Sequence, residues 1–446
     1  MTNSDTKNFS QNVSSSYHLE DKCKCNKNTC ANARNVPKLR FKGYNDEWKK
    51  VKLKDICIDF IVPMRDKPKE FNGNIPWCRI EDIDGNYFNG TKSNKYVSQE
   101  TIDKMNLKII PTGSVICSCS ASLGTYAINT CPIITNQTFI GLVCSEKISN
   151  HFLLNLMNTQ TRKLKIIAGG TTIPYISREK FEEYNIKIPS LPEQEKIASF
   201  LTLIDKKIEK QKKLVVLLKK YKRGLLSAIF SQKLRFKDDN GNNYPAWEEC
   251  RFDEIFQILG NNTLSRECLN YTDAGVKNIH YGDILVKYNT CINDEIDKIP
   301  NINSDINLDK ISDDNYLKVG DVIMADTAED YTVGKACEIV SFKAKILSGL
   351  HTIPCRPKRY FAKGYLGYYL NSAEYHDKLI PLITGIKVSA ISKKEIKKTI
   401  IKYPIYMEQA KIANLLILIE NKLNSNIKKL ELLETYKKGL LQQLFI

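Results

Sequence analysis

The 446-residue chain has little of what reaction chemistry needs. It carries no GxxxxGK[ST] phosphate loop, no GxGxxG opening a helix, no HExxH and no N-P-P-Y. These absences exclude the common nucleotide hydrolases, dinucleotide enzymes, zinc proteases and amino-methyltransferases. Its five histidines (His18, His151, His280, His351 and His376) stand beside no obvious nucleophile. The stretch "EDIDG" at Glu81 opens like a calcium loop but lacks the later carboxylates. No apolar run reaches the roughly 18 residues of a membrane span, and the polar first 36 residues contain no apolar leader core. A cytoplasmic protein without membrane contact is expected. Fourteen cysteines are mostly set singly in apolar surroundings such as "SVICSCSA", as reduced core residues are. Cys23, Cys25 and Cys30 cluster without a fourth ligand at zinc-site spacing, so no metal is expected, and residues 1–36 read as a disordered polar tail.

What the chain does have is positive charge and an internal echo. Lys and Arg number 67 against 50 Asp and Glu, a formal net charge of +17. That balance favours a polyanionic partner such as nucleic acid. The closing "YKKGLLQQLFI" repeats "YKRGLLSAIFS", 215 residues earlier. At the same offset "PxxxEQxKIA" occurs at Pro189 and Pro404, and Leu201, Ile204, Tyr221 and Gly224 fall on Leu416, Ile419, Tyr436 and Gly439. Upstream, "KLRFKGYNDEW" at Lys38 returns as "KLRFKDDNGNNYPAW" at Lys233, with Trp48 answering Trp247. "GGTTIPYISREKF" answers "GIKVSAISKKEI", and "PTGSVI" answers "KVGDVI". A period near 200 residues is a duplicated domain, not a solenoid.

The repeated segments read as long helices. Ile197, Leu201, Ile204, Ile208, Val215 and Leu218 follow a four-three spacing, and Ile412, Leu416, Ile419, Leu423, Leu430 and Leu433 follow it in step. Such seams pair helices as coiled coils. Ser190 with Glu193 reads as a capping box on the first; the second carries Met407 where the first has Pro192. Because a whole domain separates the helices, an antiparallel pair would place the two domains at opposite ends of a rod. Roughly 36 residues of helix would span about 54 Å at 1.5 Å per residue. Gln211 and Asn426 occupy matching polar positions in the two seams, so they are expected to meet and fix the register. The segments between read as mixed α/β, with strands in "TNQTFIGLVCSE" and "KVGDVIMAD" and a helix in "SNHFLLNLMNTQTRKLK". The fold class is therefore α/β: two similar mixed domains joined by two long antiparallel coiled-coil helices. The expected boundaries are 37–189 for the first domain, 190–231 for its helix, 232–403 for the second domain and 404–446 for its helix.

"IPWCRIEDIDG", "IHYGDI", "LSGLHTIPCRP", the "LPEQEKIA" helix entry and the "YKRGLL" and "YKKGLL" exits together resemble the specificity subunit of type I restriction-modification enzymes. The resemblance covers residues 37–446. It implies two target recognition domains, each reading half of a split double-stranded DNA sequence, with the coiled coil as a ruler. It also implies two modification subunits using S-adenosylmethionine and two restriction subunits using ATP and Mg, with no catalysis or cofactor in this chain.

Residue chemistry nominates the DNA contacts. Arg65 and Arg79 in the first domain and Arg266 and Lys335 in the second have cationic heads suited to guanine or phosphate. Asn136, Gln137, Thr171 and Thr172 suit adenine edges or phosphates, and His280, Tyr281, His351 and Lys387 are the second-domain counterparts. Leu225, Leu226, Phe230, Leu440, Leu441 and Phe445 form apolar helix ends that dock either on modification subunits or on the chain's own domains. Two rival classes remain at this point: a DNA-modifying enzyme with an unrecognised site, and a structural coiled-coil adaptor.

Overall fold

A computed structural model describes residues 19–21, 35–169, 174–272, 275–293, 297–385 and 388–446. The chain forms two compact units: residues up to Lys213 together with Lys428–Ile446, and Leu214–Ile427. Both divisions fall inside long helices, Leu191–Phe230 and Tyr406–Leu444, so each unit keeps half of each.

In unit 1 a six-stranded sheet is built on Val115–Ser118, flanked by Phe139–Cys144 and Tyr126–Asn129. Val115 and Cys117 face one core with the helix Asn150–Ile167, while Ile116 faces another with Phe88 and Phe139. A sheet covered on both faces needs no alternation, which is why Val115, Ile116 and Cys117 follow one another without a polar residue between them. Ser149 starts the helix by accepting the Phe152 N–H. Unit 2 repeats the plan: Val322 and Met324 of Val322–Ala325 face one core, Ile323 and Ala325 the other. The faint echo of "PTGSVI" in "KVGDVI" is therefore one central strand written twice.

The stronger echoes are ties between each domain and the helices. Arg40 of "KLRF" donates Nε and Nη2 to Glu193 of "PEQ" at 2.8 and 2.7 Å. Arg235 does the same to Glu408 at 3.1 and 2.6 Å. Gln194 donates to the Pro189 carbonyl and accepts from the Ser149 N–H; Gln409 donates to Pro404 and accepts from Ala362. Trp48 packs edge-on against Phe445, and Trp247 against Phe230. Asp205 pairs with Lys437 in unit 1, and the residues 215 positions from each, Glu420 and Lys222, pair in unit 2. In both units rising numbers on one helix meet falling numbers on the other, the antiparallel arrangement expected.

Several expectations are corrected here. Glu193 gives its carboxylate to Arg40 instead of completing a capping box with Ser190, because a buried guanidinium is the stronger partner. Within unit 1, Lys212 pairs with Glu434 at 2.7 Å and Asp205 with Lys437. Asn426 donates to the Lys422 carbonyl of its own helix at 2.7 Å. An ion pair between the two helices recurs in each unit. Within the segment expected to be a disordered tail, Leu19–Asp21 pairs antiparallel with Leu39–Phe41. Cys23, Cys25 and Cys30 lie outside the described residues. The described cysteines are free thiols, and six of them, among them Cys117 and Cys337, are buried. No described helix is long and apolar enough to cross a membrane.

One buried carboxyl makes the second unit pH-sensitive. Glu338 accepts the Gly364 and Gly367 N–H groups at 2.7 and 2.9 Å, fastening the helix Tyr365–Leu370 to the sheet. Burial raises its pKa from 4.5 to about 7, although the backbone donors act in the opposite sense. The folded carboxyl thus binds a proton more tightly than the unfolded one, and stability falls as pH rises from about 4.5 to about 7. Denaturant unfolding below and above this window should show wild type losing stability relative to Glu338→Gln as pH rises. Parallel pH profiles for the two proteins would contradict the assignment.

Candidate nucleic-acid interface

In unit 1 the strand Ile75–Cys78 runs parallel to Ile134–Thr135, so the two chains leave the sheet at the same edge. Arg79 leaves from the first and Asn136 and Gln137 from the second. Arg79 is exposed, with Nη1 3.2 Å from the Glu81 carboxylate. Its backbone N–H donates to Asp82 Oδ2 at 2.7 Å, and Lys92 N–H to Asp82 Oδ1 at 2.6 Å, which holds the loop. That is the work of the calcium-like "EDIDG": its aspartate is a backbone cap. Thr138 Oγ1 donates to Asn136 Oδ1 at 2.7 Å, while Gln137 is exposed. The loop after the central strand joins the same edge, because Cys119 N–H donates to the Thr138 carbonyl and Ser120 bridges to Tyr175.

Unit 2 builds the same edge with other side chains. Lys277–Ile279 runs parallel to Ile346–Ser348, delivering His280 and Tyr281 beside Gly349–His351. His280 starts the helix Tyr281–Val286, its Nδ1 accepting the Gly282 N–H at 3.2 Å, and that bond assigns the ring proton to Nε2. Burial first and the Arg266 charge second push the His280 pKa down. The Tyr281 ring meets His351 edge-on at 5.3 Å. His351 has φ +55°, a left-handed conformation costly for a side-chain-bearing residue, and such strain gathers at binding sites. Asp326 fixes it twice: its N–H donates to the His351 carbonyl, and its Oδ1 lies 3.3 Å from Nδ1. The Asp326 N–H repeats the Cys119 bond to Thr138. Arg266 Nη1 reaches Asp283 Oδ1 at 3.2 Å.

The structure thus gathers Arg79, Asn136 and Gln137 at one edge of unit 1, and Arg266, His280, Tyr281 and His351 at the corresponding edge of unit 2. Arg65 is exposed on the segment after the strand Cys57–Ile61. Thr171, Thr172 and Lys387 lie outside the described residues. Lys335 is a correction: its Nζ donates inward to the Leu285 and Tyr288 carbonyls at 2.9 and 3.4 Å, and burial lowers its pKa. Orphan carbonyls at the end of a helix attract a nearby ammonium. The apolar exits are a second correction. Phe230, Leu440 and Phe445 are buried in their own units' cores, and Leu225, Leu226 and Leu441 pack against those cores. They close the domains on the helices and are not free for a partner. Asp283 and Asp326 escaped the sequence reading; laying "IHYGD" on "CRIED" sets Asp283 on Asp82 and marks the position.

Residues 45–218 match the family model described as the type I restriction modification DNA specificity domain. The chain is 28% identical to the type I restriction enzyme MjaIX specificity subunit of Methanocaldococcus jannaschii over 50% of its own length and 54% of that protein. To the MjaVIII specificity subunit of the same organism it is 24% identical over 70% and 73% of the two chains. The likeness to type I specificity subunits is thus carried by residues 45–218 and by these two relatives. The chain spans about half the length of MjaIX. The fold is similar to that of the S subunit of a type I system from M. genitalium, which superposes with a TM-score of 0.55 at 16% identity, covering 92% of this chain and 99% of that one. Each of the two units is mixed α/β and keeps part of both long helices.

Proposed function

We propose that this chain is the sequence-specific DNA-binding subunit of a type I restriction-modification complex, in which each unit reads one half of a bipartite target and the helices set the gap. The observation that carries the reading is one loop edge made twice on a duplicated frame with different side chains: Arg79, Asn136 and Gln137 in one, Arg266, Tyr281 and His351 in the other. A shared frame with unlike edges suits two different half-sites, since base edges are discriminated by side-chain hydrogen bonding in the grooves. The net charge of +17 supplies the sequence-independent attraction to phosphate. Among the described residues no group of His, Cys, Asp and Glu is placed to hold a metal ion. In this reading the chain directs, and does not perform, methylation and cleavage. Two modification subunits with S-adenosylmethionine and two restriction subunits with ATP and Mg supply the chemistry.

Selection from randomised duplexes by the full-length chain tests this. The expected product is one split sequence, two short specified blocks separated by an unspecified gap of constant length. Recovery of a single continuous block, or of no sequence, contradicts it. Methyl transfer by the isolated chain given S-adenosylmethionine would favour the enzyme reading instead.

A further inference from the structure

In unit 2 the aspartate that caps the loop in unit 1 has been released for another task. Asp82 spends both carboxylate oxygens on backbone N–H groups, those of Arg79 and Lys92. Asp283 occupies the corresponding place, but there His280 starts the helix with its own ring. The Asp283 side chain is 7% exposed, Oδ1 takes Arg266 Nη1 at 3.2 Å, and Oδ2 has no hydrogen-bond partner among the described residues. A buried carboxylate with one open oxygen is costly unless a cation stays beside it. Arg266, from the turn Arg266–Cys268, is that cation, and its side chain is still 57% exposed.

A gap in the chain's own side chains receives the guanidinium. A Cβ built on Gly282 would lie 2.7 Å from Arg266 Nη2, so the fork rests on the first turn of Tyr281–Val286 where unit 1 has Glu81. The arginine is thus held from below by Gly282 and from the side by Asp283. We infer that Arg266 reads a guanine in the half-site of unit 2 and that Gly282 and Asp283 are the residues that position it. This rests on unit 2 being a DNA-recognition domain.

The choice of guanine over phosphate follows from the carboxylate. A phosphate contact needs net positive charge and tolerates a mobile head, and a neighbouring Asp283 weakens the first while restricting the second. Guanine O6 and N7 are uncharged acceptors that ask for a planar fork at a fixed angle, which a pinned guanidinium supplies. Lysine has the charge without the fork.

Binding of the full-length chain to duplexes varied at each position of both blocks, with and without 7-deazaguanine, separates the outcomes. In wild type one G·C pair of one block should lose about tenfold or more in affinity when replaced or deprived of N7. Arg266→Lys should abolish that preference, and Gly282→Ala should reduce it, because an added methyl meets only the flexible tip of Arg266. Asp283→Asn should reduce it too. Preferences in the other block should persist, which also reports an intact fold. Weakening of all sequences alike by Arg266→Lys, or by Arg266→Ala with the salt slope falling by about 1, would make Arg266 a phosphate contact and overturn the inference. Unchanged preferences in all three variants would overturn it as well. If wild type discriminates no base pair at all, the DNA-recognition reading fails first and takes the inference with it.

Discussion

Glu193→Ala should destabilise unit 1 by about 3–5 kcal/mol, the loss typical of breaking a buried ion pair from one side. Glu193 is 1% exposed and Arg40 8%, and the two share a two-pronged contact at 2.7 and 2.8 Å. Removing the carboxylate leaves a guanidinium shut away from water with no equal partner. Most of the loss is therefore the cost of the stranded charge and not the worth of the pair. It follows that Arg40→Met combined with Glu193→Leu should be less damaging than Glu193→Ala alone. The pair in unit 2 tests the same reasoning by contrast. Glu408 is fully buried but Arg235 is 26% exposed, so the arginine stranded by Glu408→Ala can reach water and the loss should be smaller. Urea unfolding of the four proteins measures these differences; a Glu193→Ala loss below about 1 kcal/mol, the range of exposed pairs, would contradict the account.

The frame was legible in the sequence because its ties join repeated residues. "KLRF", "EQxKIA" and "GLLxxxF" stand far apart along the chain, yet Arg40 meets Glu193, Trp48 meets Phe445, and each contact recurs in unit 2. A duplication preserves both ends of such contacts, so a repeated string signals them even though it does not say which end meets which. The ends of the long helices show that limit: Phe230 and Phe445 were recognisable as apolar exits, but their destination, the domains' own cores, depends on Trp247 and Trp48.

The recognition edge was legible in composition and obscure in geometry. Arg266, His280, Tyr281 and His351 were singled out separately, and the parallel pairing of Lys277–Ile279 with Ile346–Ser348 is what unites them. Lys335 was chosen on the same grounds, a cation near a loop, and turns inward because carbonyls from Leu285 and Tyr288 lie within reach. Nothing local to residue 335 in the sequence announces those acceptors. Asp283 was overlooked for the opposite reason: a carboxylate repels DNA, and its value lies in the arginine that it holds.

The largest functional effect is expected from exchange of a whole reading surface. Residues 57–170 carry the strand Ile75–Cys78, the Arg79 loop and the Asn136 turn, while Arg40, Trp48 and the Glu193 helix entry lie outside them. Replacing that segment by its counterpart from another member of the family should leave the ties to the helices intact and change what unit 1 reads. On the proposed function, the direct measurement is sequencing of methylated sites in cells that carry the exchanged chain. One block of the target should change completely, while the other block and the length of the gap remain those of wild type. Simultaneous change of both blocks, or a new gap with the old blocks, would contradict two independent readers on a common frame.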